Sequence, residues 1–535
     1  MNITEQKINL TRGALIIAFF SVASRLAGVV RDRLLASRFG AGDILDAYYA
    51  AFKIPDFIFT ILVLGAVAAA FIPVYIRLRQ VGNKVEQQLV TQTVFNILVG
   101  GLILCALVGI LLAPQLVPLI TPGFDAARMG LTISLTRIML LAIIFFGASN
   151  IVGSILQAEQ KFVSYAVAPV LYNVGIIGGL YLLVPSMGPT GLAWGVVAGS
   201  IMHLLIQIPA ARTTGWRLSW HIQLTHPRVR EIFKLMGGRT IGLAASALEQ
   251  IITASFVSKL AIGSLAAFTL ASNLQSFPIN IFGVSLAIAA FPIFSTAFSN
   301  NDQVNFIEHF KHSVRRILFF VLPLSILFLI LRAHIVRVIL GTGAFDWSDT
   351  VRTAQMLGFL SLAMVADALV PLVARVFYAV SDTRTPALTA VGSVAVNVLL
   401  LIYLLPWGLS GVGLAYVISR GLNLTTLLLL LGRRLGNLGA EYILNGAWIM
   451  LWCSLATGSV AYGTLHLLAP WVNLHTFGGV LAHGGLAGLM GGLTYLVLTN
   501  KMKLVEVCFV ERWLNGAWGT VKKLVKPETR NPKEY

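Results

Sequence analysis

Apolar residues in this chain run in long, continuous stretches, and polar residues gather in the short intervals between them. A helix needs about 20 apolar residues to cross a bilayer, and fourteen stretches are long enough. None of them alternates apolar and polar residues as a transmembrane β-strand does. The pattern therefore predicts an all-α polytopic membrane protein with fourteen transmembrane helices. The stretches cover approximately 13–33, 47–76, 88–113, 131–157, 162–185, 190–211, 236–258, 264–298, 315–340, 350–379, 386–406, 410–432, 445–468 and 477–499.

The second half of the chain repeats the first at an offset of 221 or 222 residues. The segment that ends at Asp125 matches one that ends at Asp346, and the segment around Ala158 matches one around Ala379. A third pair, LVPSMGPTGLAW and LLPWGLSGVGLAY, keeps the same offset. Duplicated polytopic proteins are typical of transporters whose two lobes move about a central site. The repeat therefore indicates a transporter.

The repeat also predicts the domain organisation. Six spans form an N-terminal lobe in residues 1–211, a basic linker follows in 212–235, and six spans form a C-terminal lobe in 236–440. Because six is an even number, both copies have the same orientation in the membrane. Spans thirteen and fourteen, in 441–500, lie outside the repeat. The basic tail, 501–535, has the apolar and cationic faces of an amphipathic helix on a membrane surface.

Composition and charge support a membrane protein and predict its orientation. Hydrophobic residues make up 57% of the chain and charged residues 11%, which excludes a soluble globular protein. The net charge of +18 comes from lysines and arginines concentrated in alternate loops, so the positive-inside rule places both termini in the cytoplasm. Such loops lie against an anionic membrane surface, and we expect no nucleic-acid partner. The basic positions include Lys7, Arg12, Arg77, Arg79, Lys84, Lys161, Arg212, Arg217, Arg228, Arg230, Lys234, Lys311, Arg315, Arg316, Arg384, Arg433 and Arg434.

Two arginines lie within the first predicted span. Arg25 is twelve residues beyond Gly13, or about 18 Å into the bilayer and past its midplane, and Arg31 lies about 9 Å further. Buried charges in a membrane are costly and usually mark a site or a pair. The two arginines could hold different sides of one large anionic group. Alternatively, Arg31 could extend to the outer headgroups.

The second span contains a lysine between two acids. Lys53 follows Asp46 by seven residues and precedes Asp56 by three, so the three side chains share a helix face. Pro55 removes a backbone donor and predicts a kink. A hinge beside a polar cavity fits this pattern, and so does simple neutralisation of a buried lysine. Pro278 marks a corresponding hinge in the second lobe.

The second lobe carries fewer charges. Glu249 and Asp367 are candidates for a proton or cation that is coupled to transport, and Asn273 is a polar residue of the eighth span. No cluster of histidine and cysteine, phosphate-binding loop or nucleophile–base pair occurs in the sequence. We therefore expect no metal, no cofactor and no enzymatic activity.

The sequence resembles the bacterial lipid II flippase family, MurJ or MviN, within the multidrug/oligosaccharidyl-lipid/polysaccharide exporter superfamily. The sharpest match is SRLAGVVRD, residues 24–32. Further matching segments are FGAGDILDAYYAAFKIPD, AAAFIP, LQAEQKF, APVLYN and FYAVSDTRTP. The resemblance covers essentially the whole chain.

The resemblance implies a substrate and a site. Members have fourteen helices and a central cationic cavity that takes the diphosphate and sugars of an undecaprenyl-linked peptidoglycan precursor, lipid II. Arg25, Arg31, Asp46 and Lys53 match family positions in the first two spans, and Asn273 falls on a family site position in span eight. Spans thirteen and fourteen would form a groove for the lipid tail. The implied partners are this substrate, membrane lipid and the cell-wall synthesis machinery, at the bacterial cytoplasmic (inner) membrane.

The chain departs from the family at three places. An arginine pair in span two falls on Phe59 and Thr60, the acid after it on Leu64, and an Asp-Arg pair in span eight on Ser272 and Asn273. Fewer cations make the burial of a diphosphate more costly. We therefore expect a divergent lipid II flippase. The open alternatives are a flippase for another polyprenyl-diphosphate-linked oligosaccharide and a cation-coupled drug antiporter.

Overall fold

The computed structural model describes residues 3–64 and 70–508, with the side chains of all of these except 3–15, 237–239 and 241. The described residues form helices and loops, without a β-strand. Helices α1 to α20 comprise, in order, Ile3–Phe39, Asp43–Ala51, Lys53–Phe59, Ile72–Val81, Lys84–Ile120, Ala126–Ala158, Phe162–Gly178, Val184–Met187, Thr190–Leu205, Ile208–Arg212, Pro227–Val257, Ser264–Pro278, Ser285–Ser299, Gln303–Ile330, Arg332–Leu340, Trp347–Ala379, Arg384–Leu404, Leu409–Leu435, Ala440–Leu468 and Phe477–Lys501. The predicted amphipathic tail falls almost entirely in 509–535, outside the described residues.

Within the described ranges, twelve helical segments are long and apolar enough to cross a membrane. The other two predicted spans, the first and the seventh, fall on α1 and α11, and the apolar part of α11 is the shorter stretch Gly242–Val257. The predicted fold class, an all-α polytopic membrane protein, is confirmed.

The sequence repeat is reproduced in the helix bounds. Helices α6 and α16 each have 33 residues, and both ends of α16 lie 221 residues beyond those of α6. Two residues beyond their C-termini, Gln160 and Ser381 both have positive φ, at 57° and 61°. The same backbone conformation thus ends the fourth span of each copy.

Contacts divide the chain into two compact units. The larger unit comprises Met1–Phe277, Arg332–Ala366 and Ser381–Leu429, and the smaller one comprises Pro278–Leu331, Asp367–Val380 and Leu430–Tyr535. These units are defined by packing alone. The predicted lobes, linker and terminal pair of spans stay predictions.

In the larger unit, two stripes of glycine bring α7 and α9 close together. A Cβ atom on Gly175 would lie 2.2 Å from the Cα atom of Gly199, so no larger residue fits without moving the helices apart. Small residues spaced four apart allow such backbone contact within membranes. The close packing fixes α7, which carries two residues of the site described below.

In the smaller unit, a buried ion pair joins α14 to the segment after α20. Arg315 Nε donates to Glu506 Oε1 over 2.6 Å, and the Arg315 guanidinium also lies over the Tyr442 ring of α19 at 4.2 Å. The hydroxyl of Tyr495 on α20 donates to the Phe319 carbonyl over 2.8 Å. Together these contacts hold α14, α19 and α20 side by side.

The second span is broken beside Pro55. Helix α2 ends at Ala51 and α3 begins at Lys53, because Pro55 has no N–H to donate to the Ala51 carbonyl. A wider π-helical turn follows at Thr60–Leu64. Pro278 likewise ends α12 and is followed by a π-helical turn, Ile279–Val284. Both predicted hinge positions therefore adjoin irregular helix.

Candidate functional site

A cavity of about 370 Å³ lies within the larger unit. Helices α1, α2, α3, α6, α7, α9, α11 and α12 contribute to its wall. The residues that matter for its chemistry are Arg31, Tyr48, Tyr49, Phe52, Lys53, Asp56, Phe59, Phe146, Tyr172, Ser200, Gln250, Thr269 and Asn273. Most come from the first copy of the repeat, so the cavity is asymmetric.

Arg31 is held by two polar partners, one of which bonds in turn to a third residue. Its Nη2 and Nε atoms donate to Asp32 Oδ1 over 2.8 and 3.0 Å, and its Nη1 atom donates to Asn173 Oδ1 over 3.1 Å. The other carboxylate oxygen of Asp32 accepts from Asn273 Nδ2 over 2.8 Å. Asp32 therefore balances the charge of Arg31 and links the first copy to α12 of the second.

Lys53 and Asp56 are the charged groups available to a ligand. Neither side chain makes a hydrogen bond or an ion pair with another residue in the described part of the chain, although their opposite charges attract each other. Both line the cavity on α3, directly after the helix break, and Asp56 is exposed. Lys53 can therefore bind an anion without first giving up a protein partner.

Aromatic rings form much of the cavity wall. Tyr48 packs edge-on against Phe52 with 5.0 Å between ring centroids, and Phe146 lies 5.1 Å from both Phe59 and Tyr172. The Tyr49 hydroxyl is buried without a hydrogen-bond partner among the described residues. Ring faces beside hydroxyl and amide groups suit a ligand with both apolar and polar faces, such as a sugar.

A sequence model of the family described as lipid II flippase MurJ matches residues 35–480. The chain belongs to this family.

Individual MurJ proteins match along nearly their full length. Lipid II flippase MurJ of Burkholderia cenocepacia is 27% identical over 472 residues, which cover 84% of this chain and 91% of that protein. The probable lipid II flippase MurJ of Buchnera aphidicola subsp. Acyrthosiphon pisum is 26% identical, covering 92% and 97%. The resemblance inferred from the sequence segments is thus confirmed.

Solved structures show the same fold. A structure of lipid II flippase MurJ in an inward closed conformation has a TM-score of 0.76 at 23% identity, covering 91% of this chain and 98% of that one. An inward-facing multidrug resistance MATE family transporter of the MOP superfamily has a TM-score of 0.63 at 14% identity, covering 78% and 96%. At these identities the likeness concerns the fold alone.

In this MurJ family member, Asp46 lies outside the cavity wall. Its carboxylate is buried and accepts from the backbone N–H groups of Gly263, over 2.7 Å, and Ala266, over 2.8 Å. These donors are at the N-terminus of α12, where a negative charge is stabilised. Asp349 has a similar contact, since it accepts from the Ala41 N–H group beside the N-terminus of α2 over 2.9 Å.

Arg25 is half-buried on α1, six residues before Arg31. It is not part of the cavity wall, and its side chain makes no hydrogen bond or ion pair with any other described residue. The structure therefore brings together Arg31, Lys53 and Asn273 of the predicted substrate-binding residues. Arg25 and Asp46 lie apart from them.

The coupling candidates lie in different places. Glu249 on α11 accepts from Arg420 Nη2 over 2.9 Å and from Asn397 Nδ2 over 3.4 Å. Its neighbour Gln250 lines the cavity, but Glu249 does not. Arg420 thus already balances the negative charge of Glu249. Asp367 is half-buried on α16 and lies in the smaller unit.

Sequence reasoning missed Asp32 and Asn173 as site residues. Both stand inside the matching segments, SRLAGVVRD and APVLYN. An acid next to an intramembrane arginine was a usable signal for Asp32, because charges within spans are usually paired. Asn173 carried no comparable signal. The described residues contain no group of three or more histidine, cysteine and acidic side chains that could hold a metal ion.

Proposed function

We propose that this chain moves the peptidoglycan precursor lipid II from the inner to the outer leaflet of the bacterial cytoplasmic membrane by alternating access. The observation that carries the proposal is the family match over residues 35–480. The cavity supports it, since it combines a free cation with aromatic and hydroxyl-bearing walls. In this proposal both termini are cytoplasmic, and cell-wall synthesis enzymes act on the lipid before and after transport.

The substrate's diphosphate binds first at Lys53. The Lys53 amino group is not hydrogen-bonded to any other described residue and has only the nearby charge of Asp56 acting on it, so it can bind the diphosphate directly. Arg31 follows when the diphosphate competes with Asp32 for the guanidinium. The sugars lie against Tyr48, Phe146 and Tyr172, and Arg25 draws the anionic group toward the cavity along α1.

The irregular helices beside Pro55 and Pro278 absorb the change between inward-open and outward-open states. Helix breaks of this kind are common places for hinges. The polyprenyl tail stays in lipid, along the groove that we assign to residues 441–500. Membrane potential contributes about 2.3 kcal/mol per charge per 100 mV. Glu249 and Asp367 remain the candidates for ion coupling.

A second candidate is a flippase for another polyprenyl-diphosphate-linked oligosaccharide. One observation favours it: Arg31 is already paired with Asp32, and Phe59 lines the cavity where the family has an arginine. Such a cavity offers few cations to a headgroup, so it suits an oligosaccharide that carries little negative charge beyond the diphosphate. Both candidates share the diphosphate and the sugar.

Complementation separates the two candidates. We expect this chain to restore lipid II exposure on the outer face of a bacterium depleted of its own lipid II flippase. Folded protein in the membrane without lipid II exposure would contradict the proposal. Restored surface polysaccharide in a strain that lacks its oligosaccharide flippase would then support the second candidate.

Replacement of Lys53 tests the site itself. Loss of one charged hydrogen bond costs about 1.5–3 kcal/mol, so Lys53→Ala should lower the flipping rate about tenfold to a hundredfold. Lys53→Arg should retain most of the activity, and Lys84→Ala, at an exposed lysine outside the cavity, should leave it unchanged. Normal exposure of lipid II by Lys53→Ala would remove Lys53 from the mechanism.

A further inference from the structure

The segment that joins the two copies of the repeat is fixed to α5 by hydrogen bonds at alternate residues. Gln92 donates to the Arg217 carbonyl over 2.8 Å, and Asn96 donates to the carbonyls of Ser219, over 2.7 Å, and His221, over 3.1 Å. The Gln223 N–H group donates to the Thr93 hydroxyl over 3.3 Å. A spacing of two indicates an extended chain, in which side chains two residues apart share a face.

The even-numbered residues of this segment form an exposed apolar row. Trp220 is 88% exposed, Leu218 and Leu224 are each 61% exposed, and Ile222 is 57% exposed. Isolated apolar residues are common on protein surfaces, but a contiguous row of four large ones marks an interaction surface. The backbone of the segment is hydrogen-bonded to α5 at four alternating residues, so the row cannot simply fold inward.

Exposed cations flank the row on both sides. The side chains of Arg212, Arg217, Arg230 and Lys234 are exposed and make no hydrogen bond or ion pair with other described residues. The row also begins close to a membrane-spanning segment, Thr190–Arg212, which ends six residues before Leu218. Six extended residues reach at most about 20 Å.

We propose that the apolar row inserts into the headgroup region of the membrane that the protein spans, and that the flanking cations bind anionic lipid phosphates. Tryptophan favours this layer because its ring is apolar and its N–H group can still bond to water or phosphate. Apolar insertion next to Lys and Arg is the usual composition of segments that bind anionic membrane surfaces. By the positive-inside prediction, this surface is the cytoplasmic leaflet.

Site-directed fluorescence of the full-length protein in lipid nanodiscs tests this proposal. In a background with Cys105, Cys453 and Cys508 replaced by alanine, Trp220→Cys is labelled with an environment-sensitive dye. His221→Cys, one residue along and on the other face, is the matched control. Leu218→Cys and Leu224→Cys repeat the measurement if Trp220→Cys does not fold.

In nanodiscs with phosphatidylglycerol, we expect dye at position 220 to be quenched at least twofold more by lipids labelled in the upper acyl chain than dye at 221. Iodide dissolved in the aqueous phase should quench the dye at 221 more than the dye at 220. Stronger iodide quenching at 220 would overturn the proposal and indicate that the row binds a soluble protein instead. Equal lipid quenching in phosphatidylcholine alone would overturn the role of the cations.

Discussion

Each copy of the repeat joins an asparagine to a charged residue, but the two charged residues have opposite signs. In the first copy, Asn173 of α7 bonds to a cation on α1, Arg31. In the second, Asn397 of the corresponding helix α17 bonds to an acid on α11, Glu249. Each charge is balanced internally, by Asp32 in one copy and by Arg420 in the other. The two contacts are not at equivalent positions of the repeat, because Asn397 lies 224 residues beyond Asn173 and Glu249 lies 218 residues beyond Arg31, each about one helical turn from the repeat offset. Each copy thus joins an asparagine of this helix to a charged residue, and the two charges are opposite in sign.

The balancing partners explain why the cavity belongs to the first copy. Gly188 and Gly408, with φ of 63° and 64°, mark equivalent turns in the two copies, and Ser200 and Arg420 each lie twelve residues beyond their own turn. Ser200 is small and lines the cavity. Arg420 fills the equivalent position in the second copy and extends to Glu249. One copy thus leaves space for a ligand where the other places an ion pair.

Removing the acid of the second copy should have the largest effect. Glu249→Leu leaves Arg420 without its charge partner in a mostly buried place, and breaking such a pair costs about 3–5 kcal/mol. We expect a large drop in the temperature of unfolding in detergent. The double variant Glu249→Leu, Arg420→Leu should recover most of it. No recovery would mean that the pair does not act as a unit.

The two asparagines test whether the similar contacts in the two copies have the same role. Asn173→Ala and Asn397→Ala each remove a hydrogen bond to a charged group, at a cost of about 1.5–3 kcal/mol. Only Asn173→Ala should also change transport, because only Arg31 lines the cavity. Flipping rates and unfolding temperatures of both variants measure this. Equal losses of transport would contradict the assignment of the cavity to the first copy.

The smallest effect concerns a feature that the copies share without change. Asp125 and Asp346, 221 residues apart, cap α6 and the start of α16, and the backbone N–H groups of Arg128 and Asp349 lower the pKa of each carboxyl. Their stabilisation is present above the unfolded pKa of about 3.9 and is lost as pH falls through the lower folded pKa. Asp346→Ala should cost about 0.5–1 kcal/mol at neutral pH. The difference from the wild type in a pH series should vanish at low pH, and a constant difference would contradict the capping role.

Much of the fold could be predicted because its causes are local. The length of an apolar stretch decides whether a helix can span the membrane, and the caps at Asp125 and Asp346 depend on residues three positions away. The break at Pro55 follows from one missing donor. The repeat also made it possible to predict which helices correspond to each other although they are far apart in the sequence.

The site could be predicted only in part, because its partners are distant or unusual. Adjacent residues on a helix do not normally face each other, which is why the pairing of Arg31 with Asp32 was missed although an acid beside an intramembrane arginine was a signal for it. Asp46 binds backbone N–H groups 217 and 220 residues away, and the side chains at those positions give no sequence signal for the contact. The partner of Glu249 is 171 residues further along the chain.

The reciprocal contacts of Asp46 and Asp349 have a consequence for how this protein tolerates mutation. Each acid binds main-chain N–H groups, which nearly every residue possesses, so drift in the side chains at Ala41 and Ala266 does not remove the acceptor's partner. Gly263 is an exception, because its φ is +84° and a Cβ would collide with the Ala41 carbonyl. A saturation scan should therefore find that positions 46, 349 and 263 are intolerant, whereas the buried positions 41 and 266 should accept other small residues. In each hydrogen bond between the copies the donor is a main-chain N–H group and the acceptor is a side chain. A substitution can therefore remove the acceptor but not, in most cases, the donor.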